Sequence, residues 1–152
     1  MDDAQAIPPP PEGFVSTRPR GPFSTHNGPY FERASAEGAE QAFFILPRHC
    51  NQMGIVHGGM LSAFMDGLLA ASVGRAAGVP SVTMHLSLDF LAMARAGEWA
   101  LGAARVTRLS RDVAFAEGHV QVNGRDLVRG SGVFKLMHRR PSAPPQTEPT
   151  RD

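Results

Sequence analysis

The sequence predicts an α+β domain in which one curved antiparallel β-sheet wraps around one long central helix. The first observation is a run of almost entirely small or apolar side chains over residues 58–78, long enough for a helix of roughly 30 Å. The second is a series of four consecutive strand-like segments after that run, joined by short turns that imply antiparallel neighbours. A helix that is apolar on every side needs cover on every side, which a curved sheet would provide.

The segments before the helix are less regular. Residues 1–27 are rich in proline with few large apolar groups and are predicted to form a disordered tail, and residues 139–152 a second one. The folded domain is therefore expected to span residues 28–138. Within it, two short strands are predicted before the helix, over residues 30–34 and 40–46, and the first is short enough that a helical turn is the alternative.

The strands after the helix carry the clearest periodicity. Over residues 82–90, apolar and polar side chains alternate, which predicts one core face and one wet face. The apolar members of this strand are Val82, Met84, Leu86, Leu88 and Phe90. Three more strands are predicted over residues 98–109, 113–122 and 127–136. The dipeptide Asn123-Gly124 between the last two is typical of a two-residue hairpin turn.

Composition limits the possible functions. At 152 residues the chain is expected to form one domain, and its net charge of +1 argues against a dedicated nucleic-acid surface. The single cysteine, Cys50, excludes an internal disulfide. The acidic, proline-rich start differs from a secretory signal, so a cytoplasmic location is expected. The histidines lack the spacing of metal ligands, and no metal site is expected.

Asp66 is the one carboxylate in the central helix. A buried carboxylate is costly unless it is paired, shifted in pKa or used in a reaction. On the residues alone two interpretations stay open, a functional group or a structural Asp satisfied by Ser62 or by a neighbouring strand. A membrane span is a third interpretation, which Asp66, Arg75 and the many small residues of the helix disfavour.

A set of spaced residues around the helix start resembles a known family. The set consists of Asn51, Gly54, His57, Gly58, Gly59 and Asp66. Together with Thr83 and the strand pattern that begins at Val82, it resembles the hotdog-fold thioesterases, and most of all their phenylacetate-degradation type. The resemblance runs from about Gly28 to Leu136.

The resemblance implies an acyl-CoA thioesterase that needs no cofactor, since CoA is part of the substrate. It implies that Asp66 is the nucleophile or general base and that the backbone N–H of Gly58 binds the thioester oxygen. Free N–H groups at a helix start can form such an oxyanion site. Asn51 and His57 would shape the entrance by hydrogen bonding, and Thr83 would position water or Asp66.

Several of these residues also have simpler explanations. His57 would serve as a helix cap, Asn51 as a turn former and Thr83 as an ordinary β-branched strand residue. Five arginines of the late strands and turns are candidates for binding the CoA phosphates, although a solvated basic surface explains them equally well. They are Arg105, Arg108, Arg111, Arg125 and Arg129. Aromatic and medium-chain acyl groups both remain open as substrates.

The spacing of Gly58 and Asp66 bears on the number of chains in one site. In a helix these residues lie about 12 Å apart, too far for both to act on one thioester group. Two antiparallel copies could bring Gly58 of one chain to Asp66 of the other. This matches the dimeric sites of the family, so a homodimer with shared sites, assembled further into a tetramer, is expected. Neither nucleic acid nor membrane is expected as a partner.

Two other functions remain open. A hotdog-fold enoyl-thioester hydratase or dehydratase would pair Asp66 with a catalytic histidine further along the same helix, whereas the next histidine here is His85, in a strand. A non-enzymatic acyl-CoA-binding or regulatory module would use the same cleft. Such a module would gain nothing from a carboxylate that faces the thioester.

Overall fold

The computed structural model describes residues 6–18 and 20–138. Within this part of the chain, a seven-stranded antiparallel sheet packs against one long helix, which confirms the predicted α+β architecture. The strands are β1 (Val15–Ser16), β2 (Tyr30–Arg33), β3 (Ala39–Phe44), β4 (Ser81–Phe90), β5 (Trp99–Leu109), β6 (Val113–Val122) and β7 (Arg125–Leu136). The helices are α1 (Pro22–Asn27), α2 (Gly58–Ala77) and a short 3-10 turn (Pro47–His49).

The strand order in the sheet is β1-β2-β3-β5-β6-β7-β4. The prediction that consecutive strands are neighbours is right for β5, β6 and β7, and the turn between β6 and β7 has the positive φ angles of a two-residue hairpin at Asn123 (51°) and Gly124 (74°). It is wrong for β4, which pairs with β7 instead of β5. The connection over residues 91–98 is too long to force its flanking strands together. As a result, β4 is an outer edge of the sheet.

Helix α2 ends as the sequence predicted, at Gly78 in the left-handed conformation (φ 68°). Its sheet-facing side is buried and consists of Met60, Leu61, Phe64, Met65, Leu68, Leu69, Ser72 and Val73. The opposite side is only partly buried, because the sheet covers one face of the helix. The prediction that α2 is buried nearly all round is therefore wrong for the single chain. No helix among residues 6–18 and 20–138 has the length and hydropathy needed to cross a membrane.

The N-terminal segment differs from its prediction as a disordered tail. Strand β1 pairs with β2, and α1 follows with Pro22 in its first turn. Phe14 is only 7% exposed, and the guanidinium of Arg33 lies 4.6 Å from the centre of its ring. Proline-rich composition disfavours autonomous folding, but here β2 supplies hydrogen bonds and apolar contact. The rest of the two predicted tails, residues 1–5, 19 and 139–152, lies outside the described residues.

Strand β4 contains a β-bulge between Thr83 and His85. The extra residue, Met84, shifts the alternation by one position, so Thr83 lies on the same side of the strand as Leu86. Thr83 is thereby turned towards α2, although it stays exposed at the sheet edge. Val82, Met84 and Phe90 are 54%, 61% and 53% exposed, so the prediction that they are buried in the core is wrong.

Candidate active site

The carboxylate of Asp66 is held by a residue of β4. The hydroxyl of Thr83 donates a hydrogen bond of 2.6 Å to Oδ1 of Asp66, which the bulge in β4 makes possible. Ser62, the alternative partner considered from the sequence, donates instead to the carbonyl of Gly58 at 2.7 Å. Within the described residues, Oδ2 of Asp66 has no hydrogen-bond donor. A carboxylate with one oxygen anchored and the other free is suited to act as a base or a nucleophile.

The start of α2 presents a free backbone donor. Nδ1 of His57 accepts the N–H of Gly59 at 2.7 Å, so His57 is the helix cap. Among the described residues, no group accepts the N–H of Gly58. A Cβ built on Gly58 would lie 3.6 Å from the ring of Phe90, which covers this position from β4. An unpaired N–H at the positive end of a helix dipole can bind an oxyanion.

Asn51 forms a turn ahead of the helix. Its Oδ1 accepts the N–H of Met53 at 2.9 Å, and its carbonyl accepts the N–H of Gly54 at 2.9 Å. Gly54 has a φ of 72°, which the turn requires and which favours glycine. This geometry matches the simpler explanation of Asn51 as a turn former. Its part in shaping the entrance stays a prediction.

A cavity of about 450 Å³ adjoins Asp66. It lies between the partly buried side of α2 and the strands at the other edge of the sheet, and its wall includes Arg20, Phe23, Tyr30, Gln41 and Phe64. We call it the Asp66 cavity. Its volume is in the range of small-molecule binding sites. Because Asp66 also contacts Thr83 of β4, it lies in a slot between the two edges of the curved sheet.

The outer wall of the Asp66 cavity is the N-terminal segment, residues 16–18 and 20–29. Nδ1 of His49 accepts the N–H of Leu46 at 3.1 Å, so its Nε2 carries the proton and donates to the carbonyl of Asn27 at 2.9 Å. Arg48 donates to the carbonyl of Gly28. These contacts tie the end of α1 to the loop before α2. Nothing in the sequence pattern indicated a role for Arg48 or His49.

Two wall residues of the cavity, Tyr30 and Gln41, were missed by sequence reasoning. The ring of Tyr30 stacks on that of Phe64 at a centroid distance of 5.9 Å. Gln41 is 5% exposed and shares the inner face of β3 with Ala39 and Phe43. A polar residue in a core-facing position was visible in the alternation of the predicted strand. That signal could have singled out Gln41.

The five late-strand arginines lie away from the Asp66 cavity, and none of them lines it. Arg105 pairs with Glu117 at 2.6 Å and Arg129 pairs with Asp126 at 2.6 Å. Hydrogen bonds from Gln121 and from Arg129 lower the pKa of Asp126.

The other three members of this set are Arg108, Arg111 and Arg125, and all three are exposed. Arg125 donates to the carbonyl of Met93 at 2.8 Å. The single chain therefore brings Asp66 together with Thr83, and His57 with the helix start, but it joins neither group to this arginine set. Binding of CoA phosphates by these arginines stays a prediction.

Comparison with known proteins identifies a matching family. The sequence model of the thioesterase superfamily matches residues 53–128, which contain Gly58, Asp66 and Thr83. A Pseudomonas aeruginosa protein that carries the name of an esterase is 38% identical over 129 residues, which cover 83% of this chain and 96% of that protein. The match to the superfamily model leaves out β1, β2 and β3, and with them most of the wall of the Asp66 cavity.

Two solved structures show the similarity of the fold. A Ralstonia eutropha protein described as a thioesterase related to phenylacetic acid degradation has a TM-score of 0.70 and 27% identity, with 78% of this chain and 92% of that chain covered. A Streptococcus pneumoniae protein described as a thioesterase, crystallised with coenzyme A, has a TM-score of 0.68 and 17% identity, with 74% and 88% covered.

Proposed function

The chain belongs to the thioesterase superfamily and has its hotdog fold, and on this basis we propose that it hydrolyses acyl-CoA thioesters to a free acid and CoA. The observation that carries the proposal is the position of Asp66. One oxygen is anchored by Thr83, while the residue itself borders a cavity large enough for an acyl group. A purely structural role of Asp66 would not explain why a cavity of this size lies beside it.

Asp66 acts on the thioester carbon, either directly as a nucleophile or as a general base that takes a proton from water. In both routes the carbonyl oxygen becomes negatively charged as the carbon becomes tetrahedral. The free N–H of Gly58 is suited to bind that oxygen. Removal of one such donor costs about 2.7–4 kcal/mol of transition-state stabilisation in other enzymes.

The two groups must come from different chains. Along α2, Gly58 and Asp66 are about 12 Å apart, whereas both must lie about 3 Å from one thioester group. We therefore place the site in a homodimer, where Gly58 of one subunit faces Asp66 of the other. A two-fold pair would hold two equivalent sites, and such dimers would pair further into tetramers.

The free edge of β4 supports this arrangement. An uncovered strand of this length presents unpaired backbone groups, and Val82 and Met84 add apolar side chains that are more than half exposed. Thr83, which holds Asp66, belongs to the same edge. A second copy docked here would lie next to Asp66.

CoA is proposed as the thiol part of the substrate. The Streptococcus pneumoniae relative of the same fold was crystallised with coenzyme A, which supports this class of ligand. The late-strand arginines are the proposed partners of its phosphates, since a guanidinium fork suits phosphate oxygens.

A thiol-release assay over a panel of aromatic and medium-chain acyl-CoAs tests the proposed reaction. We expect release of free CoA in equal amounts with the free acid from at least one member. Binding of acyl-CoA without release from any member would instead favour the non-enzymatic binding module. Addition of water to an enoyl-CoA with the thioester intact would favour the hydratase.

Complementation tests the shared site. An Asp66→Ala chain and a Gly58→Pro chain should each be nearly inactive alone, since proline deletes the N–H but is tolerated in the first turn of a helix. After co-refolding, half of the dimers should be heterodimers with one intact site of two, which predicts recovery of about a quarter of parental activity. Circular dichroism checks that both variants fold. If both fold and exchange subunits while the mixture stays inactive, the shared-site proposal is wrong.

A further inference from the structure

The inner wall of the Asp66 cavity contains a buried amide in an otherwise apolar position. Gln41 of β3 pairs with Gly102 of β5, where an added Cβ would meet Leu68 and Phe64 of α2 at 2.6 and 2.9 Å. Gln41 therefore faces α2. Its neighbours on this face of β3, Ala39 and Phe43, are fully buried hydrophobic residues, as expected for a core strand.

The amide of Gln41 has no hydrogen-bond partner among the described residues. No hydrogen bond joins it to any residue in the ranges 6–18 and 20–138, although the residue is only 5% exposed. Every fully buried side-chain nitrogen or oxygen atom in this part of the chain has a hydrogen-bond partner. Because the amide of Gln41 has none, it is not fully buried and must reach the cavity that Gln41 lines. A buried amide without a partner costs stability unless a ligand or water satisfies it.

A second polar group reaches the same cavity. The hydroxyl of Tyr30 makes no hydrogen bond to a described residue, while its ring packs against Phe64 and Phe43. Burial raises the pKa of this hydroxyl, and the charge of Arg48 lowers it by less. The hydroxyl therefore stays protonated at neutral pH and can donate a hydrogen bond as well as accept one.

The two polar wall residues, Tyr30 and Gln41, belong to different elements from the proposed reacting groups. Tyr30 and Gln41 belong to β2 and β3, and Asp66 lies across the cavity on α2. Residues of β2 and β3 lie outside the part of the chain that matches the superfamily model, whereas Asp66 and Gly58 lie within it. The proposed reacting groups thus lie within the part of the chain that matches the superfamily model, while the wall opposite them lies outside it.

From this geometry we infer that the Asp66 cavity receives the acyl group and that Gln41, with Tyr30 beside it, selects acyl groups that carry an uncharged hydrogen-bonding oxygen, a hydroxyl or a carbonyl. This inference rests on the proposed thioesterase function. The apolar rings of Phe64 and Phe23 pack against the carbon skeleton of the acyl group, and the amide pairs with its oxygen. Gln41 is a specificity-determining residue in this arrangement, because an acyl group without the oxygen leaves the amide unpaired.

Matched acyl-CoA pairs that differ by one hydroxyl test the inference. The pairs are phenylpropanoyl-CoA with hydroxyphenylpropanoyl-CoA, and octanoyl-CoA with hydroxyoctanoyl-CoA bearing the hydroxyl at successive carbons. Succinyl-CoA serves as an acyl group with a charged oxygen. For the parent enzyme we expect kcat/KM for the best hydroxylated member to exceed that for its plain counterpart by about tenfold or more.

Three variants test which residue produces this ratio of kcat/KM values between the hydroxylated and the plain acyl-CoA. Gln41→Met replaces the amide by an apolar chain of similar size and should bring the ratio close to one, mainly by faster hydrolysis of the plain acyl group. Tyr30→Phe removes only a hydroxyl and should reduce the ratio in part. Gln52→Met, in the exposed loop before α2, is the matched control and should leave the ratio at its parental value.

The outcomes separate this inference from the proposed function. If the parent releases CoA but shows no preference within either pair, or if Gln41→Met and Tyr30→Phe both keep the parental ratio, the inference is wrong while the thioesterase function stands. A clear preference for succinyl-CoA would also overturn it, since the cavity would then select a charged group. If no acyl-CoA is hydrolysed by the parent, the proposed function fails and the inference fails with it.

Discussion

The two sides of helix α2 carry side chains of very different size. The side that faces the sheet consists mainly of large residues such as Phe64 and Leu68, which are almost completely buried. The other side carries small residues such as Ala63, Ala70 and Gly74, which are only partly buried, and Asp66 lies among them. Both sides are apolar, so the sequence predicted the same buried environment for each.

This difference in size indicates that the two sides of α2 serve different purposes, one for stability and the other for the proposed function. Large side chains fill the space between α2 and the sheet, so the sheet-facing side contributes to the core. Small side chains on the other side leave room for the Asp66 cavity and allow another surface to approach closely. A substitution should therefore affect stability on the first side and activity or assembly on the second.

The largest expected effect is that of Asp66→Asn on the open side. It should lower kcat by about 10²–10⁴-fold, since it removes the proposed proton acceptor or nucleophile. The melting temperature should change little, because the amide can still accept the hydrogen bond from Thr83. Thiol release and thermal denaturation are measured on the same preparation, with Ser62→Ala on the same side of the helix as a control. If the Asp66→Asn protein is unfolded, the role of Asp66 is structural and the prediction is wrong.

Leu68→Ala should have the opposite profile. Leu68 is fully buried against Gly102 of β5, so its truncation should cost about 2–5 kcal/mol of unfolding free energy. The fraction that remains folded should keep its activity. Urea denaturation gives the stability and thiol release gives the activity per folded molecule. Loss of activity without loss of stability would contradict the separation of the two sides.

Thr83→Val should have a smaller effect on activity. It removes the hydrogen bond that orients Asp66 but leaves the carboxylate itself, so kcat should fall by roughly tenfold. Thr83→Ser keeps the hydroxyl and should restore most of the rate, which a purely packing role of Thr83 would not predict. A parental rate in Thr83→Val would show that the bond has no function in the reaction.

Gly74→Ala should have the smallest effect, and a favourable one. A Cβ at Gly74 would meet nothing within 4 Å, so the gain in helix propensity should stabilise the chain by about 0.5–1 kcal/mol. Gly102→Ala is the matched control on the other side of the interface, where the new Cβ would lie 2.6 Å from Leu68, and it should destabilise the chain. Destabilisation by Gly74→Ala, measured in urea, would mean that this side of α2 is tightly covered.

Much of this fold could be read from the sequence. Strong local signals determined α2 between Gly58 and Gly78, the long strands after it and the Asn123-Gly124 turn, because each depends on residues close together in the chain. The motif around Gly58 and Asp66 similarly determined the family. Its residues lie within one loop and one helix, so their spacing survives in the sequence.

Other features were decided only by tertiary structure. The pairing of β4 with β7 depends on which distant strands meet, and the bulge that turns Thr83 towards Asp66 breaks an alternation that was regular in the sequence. The proline-rich segment gains its order from β2 and from the loop around His49, since alone it has too few apolar groups to fold. The Asp66 cavity exists only because these distant parts converge on the small-residue side of α2, a convergence that no local pattern encodes.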